Sequence, residues 1–133
     1  MSTITQFEHL EIWQEARGFS NKIYKLTSGS SFRKEFALVD QMRRSSGSIM
    51  DNIAEGFGRG GRNEFINFLS YARGSVNETR SQLYRTLDNG LLDDLEFESL
   101  KRQSELLEIK LNNFISYLQK SAFDGNKFKK RKT

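Results

Sequence analysis

Cysteine and proline are both absent from the chain, and histidine occurs once, as His9. Without cysteine there can be no disulfide and no thiolate metal site, which is compatible with a reducing compartment. With a single histidine, the Glu-x-x-His pairs that hold metals in helical bundles cannot be written. Nor does a Ser-His-Asp set assemble around His9. The lack of proline removes the residue that breaks helix interiors, so long uninterrupted helices are allowed. No apolar run approaches the roughly 18 residues of a membrane span. Residues 1–14 lack the basic-then-apolar layout of a secretory leader. The expectation is a cytoplasmic protein with no membrane association, no cofactor, no metal and no enzymatic activity.

What the 133 residues do contain is helical periodicity. A chain of this length suits one domain with a real core. Val39, Met42, Ile49, Met50, Ile53 and Phe57 recur at spacings of three, four and seven, one stripe of a helix. The stripe stops at the glycine-rich run 56–61 and resumes at Phe65, Phe68, Leu69, Ala72, Val76, Leu83 and Leu87. Upstream, Leu10, Trp13, Ala16, Phe19, Ile23 and Leu26 give another stripe, flanked by Tyr24. Downstream, Leu95, Leu100, Leu107, Leu111, Phe114 and Leu118 give a fourth, with Ile115 beside it. Helices are therefore predicted near 5–27, 32–57, 63–89 and 93–121. The short connections between them make an all-α, antiparallel up-down-up-down four-helix bundle over 1–121. The core is expected to hold Trp13, Ile23, Met42, Ile49, Ile53, Phe65, Leu69, Ala72, Val76, Leu83, Leu107, Leu111 and Phe114.

Local signals refine the boundaries. The cluster 27–31 reads as a turn, with Gly29 suited to a helix end and one of its serines able to cap the second helix. Asn63 is the expected cap of the third helix, and Asp88-Asn89-Gly90 its stop. Asp93 and Asp94 favour the positive end of the fourth. Ser45, Ser46 and Gly47 are poor helix formers, Gly47 alone costing about 1 kcal/mol against alanine. Such small residues imply a close helix contact, as does Gly74 beside Ala72 and Ser75. Spacing leaves open whether those contacts lie within one bundle or between subunits. They motivate the expectation of a closed cyclic homo-oligomer.

Charge is unevenly placed. The chain has 21 basic and 17 acidic side chains, but residues 1–121 hold 16 of each. The whole excess of +4 therefore lies in the tail, 122–133, read as a basic, disordered segment. Lys127, Lys129, Lys130, Arg131 and Lys132 form a dense run that suits a phosphate backbone without reading sequence, or simply solubilises a terminus. Within the body, residues 33–85 carry nine basic and six acidic groups, and 86–121 carry four and seven. The body is polarised rather than basic.

Several motifs invite chemistry. Gly56-Phe57-Gly58-Arg59-Gly60-Gly61 matches G-x-G-x-x-G, but the dinucleotide fingerprint needs a preceding strand and here a helix precedes. An interhelical turn is the better reading. The same turn carries Arg59 and Arg62 at a helix N-terminus, an arrangement able to cradle phosphate. With Arg43 and Arg44 on the second helix and the lysines of the tail, these are the candidate nucleic-acid contacts. Asp51, Glu55 and Glu78 are candidate carboxylate ligands only in a trailing metal-enzyme reading, since ion pairing with arginines explains the first two. Asn77-Glu78-Thr79 fits a glycosylation sequon without a leader to support it.

The run Gln41-Met42-Arg43-Arg44-Ser45-Ser46-Gly47-Ser48-Ile49, followed by Asn52-Ile53-Ala54-Glu55-Gly56-Phe57-Gly58-Arg59, resembles a known family. Phe65, Phe68-Leu69, Ala72-Arg73-Gly74-Ser75 and Glu78 extend the match, as do Leu10, Trp13 and Ala16. The family is that of the four-helix-bundle proteins encoded in intervening sequences of bacterial large-subunit ribosomal RNA genes, also called S23 ribosomal proteins. The resemblance covers about residues 7–118. It departs before the second helix, where Phe32-Arg33-Lys34-Glu35 stands in place of a frequent Pro and Glu. What it implies is a left-handed up-down bundle assembled as a homopentamer, an RNA-associated scaffold. A related fold serves retroelements as a pentameric accessory subunit that binds RNA and the reverse transcriptase, so a protein-interaction adaptor is the alternative.

Overall fold

The structure, a computed structural model, describes the backbone of residues 3–132 and the side chains of residues 3–121. Four α-helices form a bundle: α1 (Glu11–Thr27), α2 (Phe36–Gly58), α3 (Arg62–Asp88) and α4 (Asp94–Lys132), with no strand among the described residues. The expected basic tail, 122–133, lies outside the residues whose side chains are described.

Two helices start later than the periodicity suggests. Before α1, a 3₁₀ turn at Phe7–His9 ends at Leu10, whose extended backbone breaks the helix. Phe7 then folds back with its ring edge-on to Trp13, centroids 5.0 Å apart. The apolar spacing runs on through this break, so periodicity alone cannot register it. Before α2, a second 3₁₀ turn at Ser30–Phe32 buries Phe32, and the cap position falls on Glu35 with no side-chain bond. No serine caps α2. Asn63 likewise does not cap α3, which begins one residue earlier behind Gly61. For α4 the acidic signal is right: Asp93 Oδ1 accepts the Glu96 N–H at 2.7 Å.

Core packing follows the stripes. Twelve of the thirteen expected core residues are buried, and Phe114 is partly buried against the same cluster. Leu95 is a correction: it is 84% exposed, and Phe97 and Ile115 take the inward positions on α4. From one end of the α2–α3 seam to the other, Arg85 reaches Gln41, Ser45 meets Thr79 and Gln82, and Ser75 donates to Ser48. On the α3–α4 side, Tyr84 packs on Phe97, Arg80 bonds Ser104 and Glu108, and Phe65 packs on Phe114. Lys110 ties α4 to Glu11 at 3.0 Å and to Glu15 on α1. Its hydrogen bond to Glu15, then that to Glu11, raises its pKa above the ordinary lysine value.

The small residues of α2 divide in two. Ser45 and Ser46 are buried, and Ser45 Oγ donates to Gln82 Oε1 at 2.6 Å and lies 2.8 Å from Thr79 Oγ1. Gly47 and Gly74 make no such contact among the described residues, because a Cβ at either would meet nothing there within 4 Å. The close approach is at Gly56 instead. A Cβ there would lie 2.5 Å from Phe68 Cβ and 3.0 Å from Phe65 Cδ1. Gly56 is what lets the ends of α2 and α3 touch.

Candidate nucleic-acid interface

The α2–α3 turn is built by its glycines. Gly60 has φ +79°, the left-handed region that side chains resist, and this turns the chain from α2 into α3 within three residues, 59–61. Arg59 and Arg62 flank it. Arg59 bonds Glu55 at 2.7 Å, one turn back, and its guanidinium lies 5.0 Å from the Phe68 ring centroid. Arg62 opens α3 and has no ion-pair partner among the described residues. A cation at the positive end of a helix is mildly unfavourable alone, and an anion docked there offsets it.

Arg62 also lines a cavity of about 340 Å³ with Gly60, Gly61, Phe65 and Leu118. Leu118 lies in α4, three residues before the last one whose side chain is described. The root of the basic tail therefore stands beside the Arg59–Arg62 turn, two features that sequence reading treats as separate. Only the fold brings 62 and 118 together, so no local signal could have revealed it. Lys127, Lys129, Lys130, Arg131 and Lys132 themselves lie outside the described side chains.

Arg43 and Arg44 are elsewhere. Fifteen residues of helix separate Arg44 from Arg59, about 22 Å at 1.5 Å per residue. Arg44 is exposed and pairs with Asp40 at 3.0 Å. Arg43 is committed to the fold: it donates to Thr27 Oγ1 and Ser28 Oγ, both at 3.0 Å, and its guanidinium lies 3.8 Å from the Tyr24 ring centroid. It clamps the end of α1 to α2. That role joins residues far apart in sequence and was invisible there.

No group of three metal-ligating side chains converges among the described residues. Glu55 pairs with Arg59, while Asp51 and Glu78 are exposed. His9 is exposed in the first 3₁₀ turn. No described helix is long and apolar enough to cross a membrane.

Comparison with known proteins supplies a context for this geometry. Residues 8–113 match the family described as 23S rRNA-intervening sequence protein. A crystal structure from Bacteroides thetaiotaomicron, of a protein with unknown function from the S23 ribosomal protein family, aligns with a TM-score of 0.72. The identity is 28%, over 78% of this chain and 97% of that one. No curated protein matches.

Proposed function

The chain belongs to the 23S rRNA-intervening sequence protein family, and we propose that it acts in the cytoplasm as a non-enzymatic, oligomeric, RNA-associated scaffold. Its helices form an up-down-up-down bundle in this reading, and the copies close into a ring, a pentamer if the resemblance carries over. The observation that carries the RNA part is the shared end of the bundle: Arg62, the α3 N-terminus and Leu118 of α4 line one cavity. Positive charge from the turn and from residues 127–132, beyond Leu118 in sequence, then acts on one polyanion. Because residues 1–121 have equal numbers of basic and acidic groups, attraction must come from such clusters and not from an overall field. A ring repeats each cluster, so weak contacts add through effective concentration. Arg59, Arg62 and the tail residues Lys127, Lys129, Lys130, Arg131 and Lys132 are the main contacts. Arg44 is a secondary one, and Arg43 acts by holding α1 to α2.

The oligomeric part is supported by Gly18, Gly47 and Gly74. All three lie inside helices with open space where a Cβ would be. Each lowers helix stability by about 1 kcal/mol relative to alanine, and among the described residues no neighbour comes close to make use of the missing side chain. Close approach of another copy would make use of it.

Mobility-shift titrations with structured RNA at two salt concentrations test the RNA reading. Deletion of residues 124–133 should weaken binding and flatten its salt dependence, as fewer counterions are released. Arg59→Ala with Arg62→Ala should do the same in smaller measure. Absence of binding by the unmodified chain at low salt would overturn the reading in favour of the protein-interaction adaptor. That alternative draws on one observation, the exposed apolar side chains of α4.

A further inference from the structure

From Arg17 to Lys34 the chain has five basic side chains and no acidic one. The five are Arg17, Lys22, Lys25, Arg33 and Lys34, and all are exposed. The stretch runs from the middle of α1 through its connection to α2. Arg17, Asn21 and Tyr24, spaced by four and three, share one stripe of α1. Phe36 and Arg43, spaced by seven, share one stripe of α2. Arg43 joins the two stripes. Its guanidinium lies 3.8 Å from the Tyr24 ring centroid, and Thr27 Oγ1 and Ser28 Oγ accept its hydrogen bonds.

Two depressions meet at this stack. One, of about 590 Å³, is lined by Arg33, Phe36, Asp40 and Arg43 among others. Asp40 is its one acidic lining residue, and Arg44 already pairs with it at 3.0 Å. The other, of about 570 Å³, is lined by Arg17, Ser20, Asn21 and Tyr24 among others, and by no acidic residue. Arg43 lines the first and Tyr24 the second, so the stack connects them. Phe36 is 78% exposed and Tyr24 56%. Arg17, Arg33 and Arg43 form no ion pair among the described residues. Two open aromatic rings thus alternate with three guanidinium groups that no carboxylate neutralises.

We propose that this face is a second RNA site, one that takes an unpaired single strand. Bases stack on Phe36 and on the Tyr24–Arg43 pair, and Arg17 and Arg33 hold the phosphates. The proposal rests on the RNA reading above but uses different residues, since about 24 Å of helix separates Arg43 from Arg59. Stacking on an aromatic ring is open to any base, because every base has a π face. A duplex keeps its bases stacked on one another and leaves such rings unused, so the fitting ligand is a strand whose bases can splay out. An acidic peptide would satisfy the guanidinium groups but leave both rings idle. Arg43 keeps its structural role here. Held by Thr27 and Ser28, it is a fixed plate that needs no ordering when a base arrives.

Fluorescence anisotropy with two labelled strands of equal length tests this, one of oligoadenylate and one a ribose-phosphate backbone without bases. The full-length proteins are the unmodified chain, Tyr24→Ala with Phe36→Ala, and Arg17→Gln with Arg33→Gln. The unmodified chain should bind the adenylate strand about tenfold or more tighter than the base-free one. The aromatic variant should lose most of that preference, while its binding to the base-free strand stays unchanged. The arginine variant should weaken on both strands and show a flatter salt dependence. Circular dichroism checks folding. Should the double aromatic change disturb it, Phe36→Ala alone carries the test, with a loss of about fivefold or more. Equal binding of the two strands by the unmodified chain, or full preference kept by the aromatic variant, would overturn the proposal. A changed oligomer mass in the aromatic variant would give the face to another copy and overturn it too. So would displacement of the adenylate strand by a glutamate peptide as readily as by unlabelled adenylate, which would assign the face to an acidic protein. Binding of structured RNA without binding of the single strand would remove this site alone, whereas binding of neither would remove the RNA reading with it.

Discussion

Gly56 and Gly47 sit on the same helix and have opposite surroundings. Gly56 faces α3, where even one methyl group would collide with Phe68 and Phe65. Gly47 faces away from the core, where a methyl group would touch nothing. The contrast holds for whole regions. The α2–α3 seam is closed, with buried Ser45, Ser46, Thr79 and Gln82 and a continuous set of hydrogen bonds. The outer faces of α1, α2 and α4 are open by contrast, with Gly18 and Gly47 free of neighbours at the Cβ position among the described residues and Leu95, Leu106 and Ile109 exposed. The seam explains how one chain folds. The outer faces are where the proposed contact with another copy would form.

Substitutions can break or sharpen that contrast. The largest effect is expected in the core beside the seam. Ile53 is fully buried, so Ile53→Ala should cost about 2–5 kcal/mol in denaturant unfolding; a loss under about 0.5 kcal/mol would mean that the site is not packed. Gly56→Ala should follow at about 1–3 kcal/mol, because the neighbour in the way includes Phe68 Cβ, which cannot swing aside. An unchanged midpoint would show that α2 and α3 do not approach as described. Ser45→Ala leaves Gln82 and Thr79 short of a partner, at a cost of about 1–3 kcal/mol. Ser45→Ala combined with Thr79→Val and Gln82→Leu should recover part of that loss.

On the outer side the sign reverses. Gly74→Ala has open space and should stabilise the folded monomer by up to about 1 kcal/mol in a thermal melt under dissociating conditions. Destabilisation there would mean that an interface within the chain had been missed. The smallest effect is one of pH. Lys110, bound by Glu15 and Glu11, has a raised pKa. Its contribution is complete below the unfolded-state value of about 10.4 and is lost as pH rises through the higher folded value. Melting points should therefore be flat in this respect near neutrality. A Lys110→Met chain should show a shallower decline above about pH 10 than the unmodified one.

Much of the fold was legible because burial in a helix repeats every three or four residues. Met42, Ile49, Ile53, Leu69, Val76 and Leu83 all announce themselves in this way, and all are fully buried. Leu95 misled because a helix with two apolar stripes offers two phases, and spacing alone does not choose between them. Gly56 reads as part of a glycine-rich turn, yet its role is a contact with a helix that has not begun at that point of the chain. The candidate site was legible only as pieces. Arg59 and Arg62 are adjacent to a recognisable turn, whereas the nearness of Leu118, and the capture of Arg43 by Tyr24, Thr27 and Ser28, depend on long-range packing.

The contrast between a closed seam and open outer faces is tested most directly by the mass of the unmodified full-length chain. It should be measured by light scattering at micromolar concentration in moderate salt. The account predicts one species at a whole-number multiple of 15.4 kDa, five-fold if the family resemblance extends to assembly. A single species at 15.4 kDa across that range would contradict it.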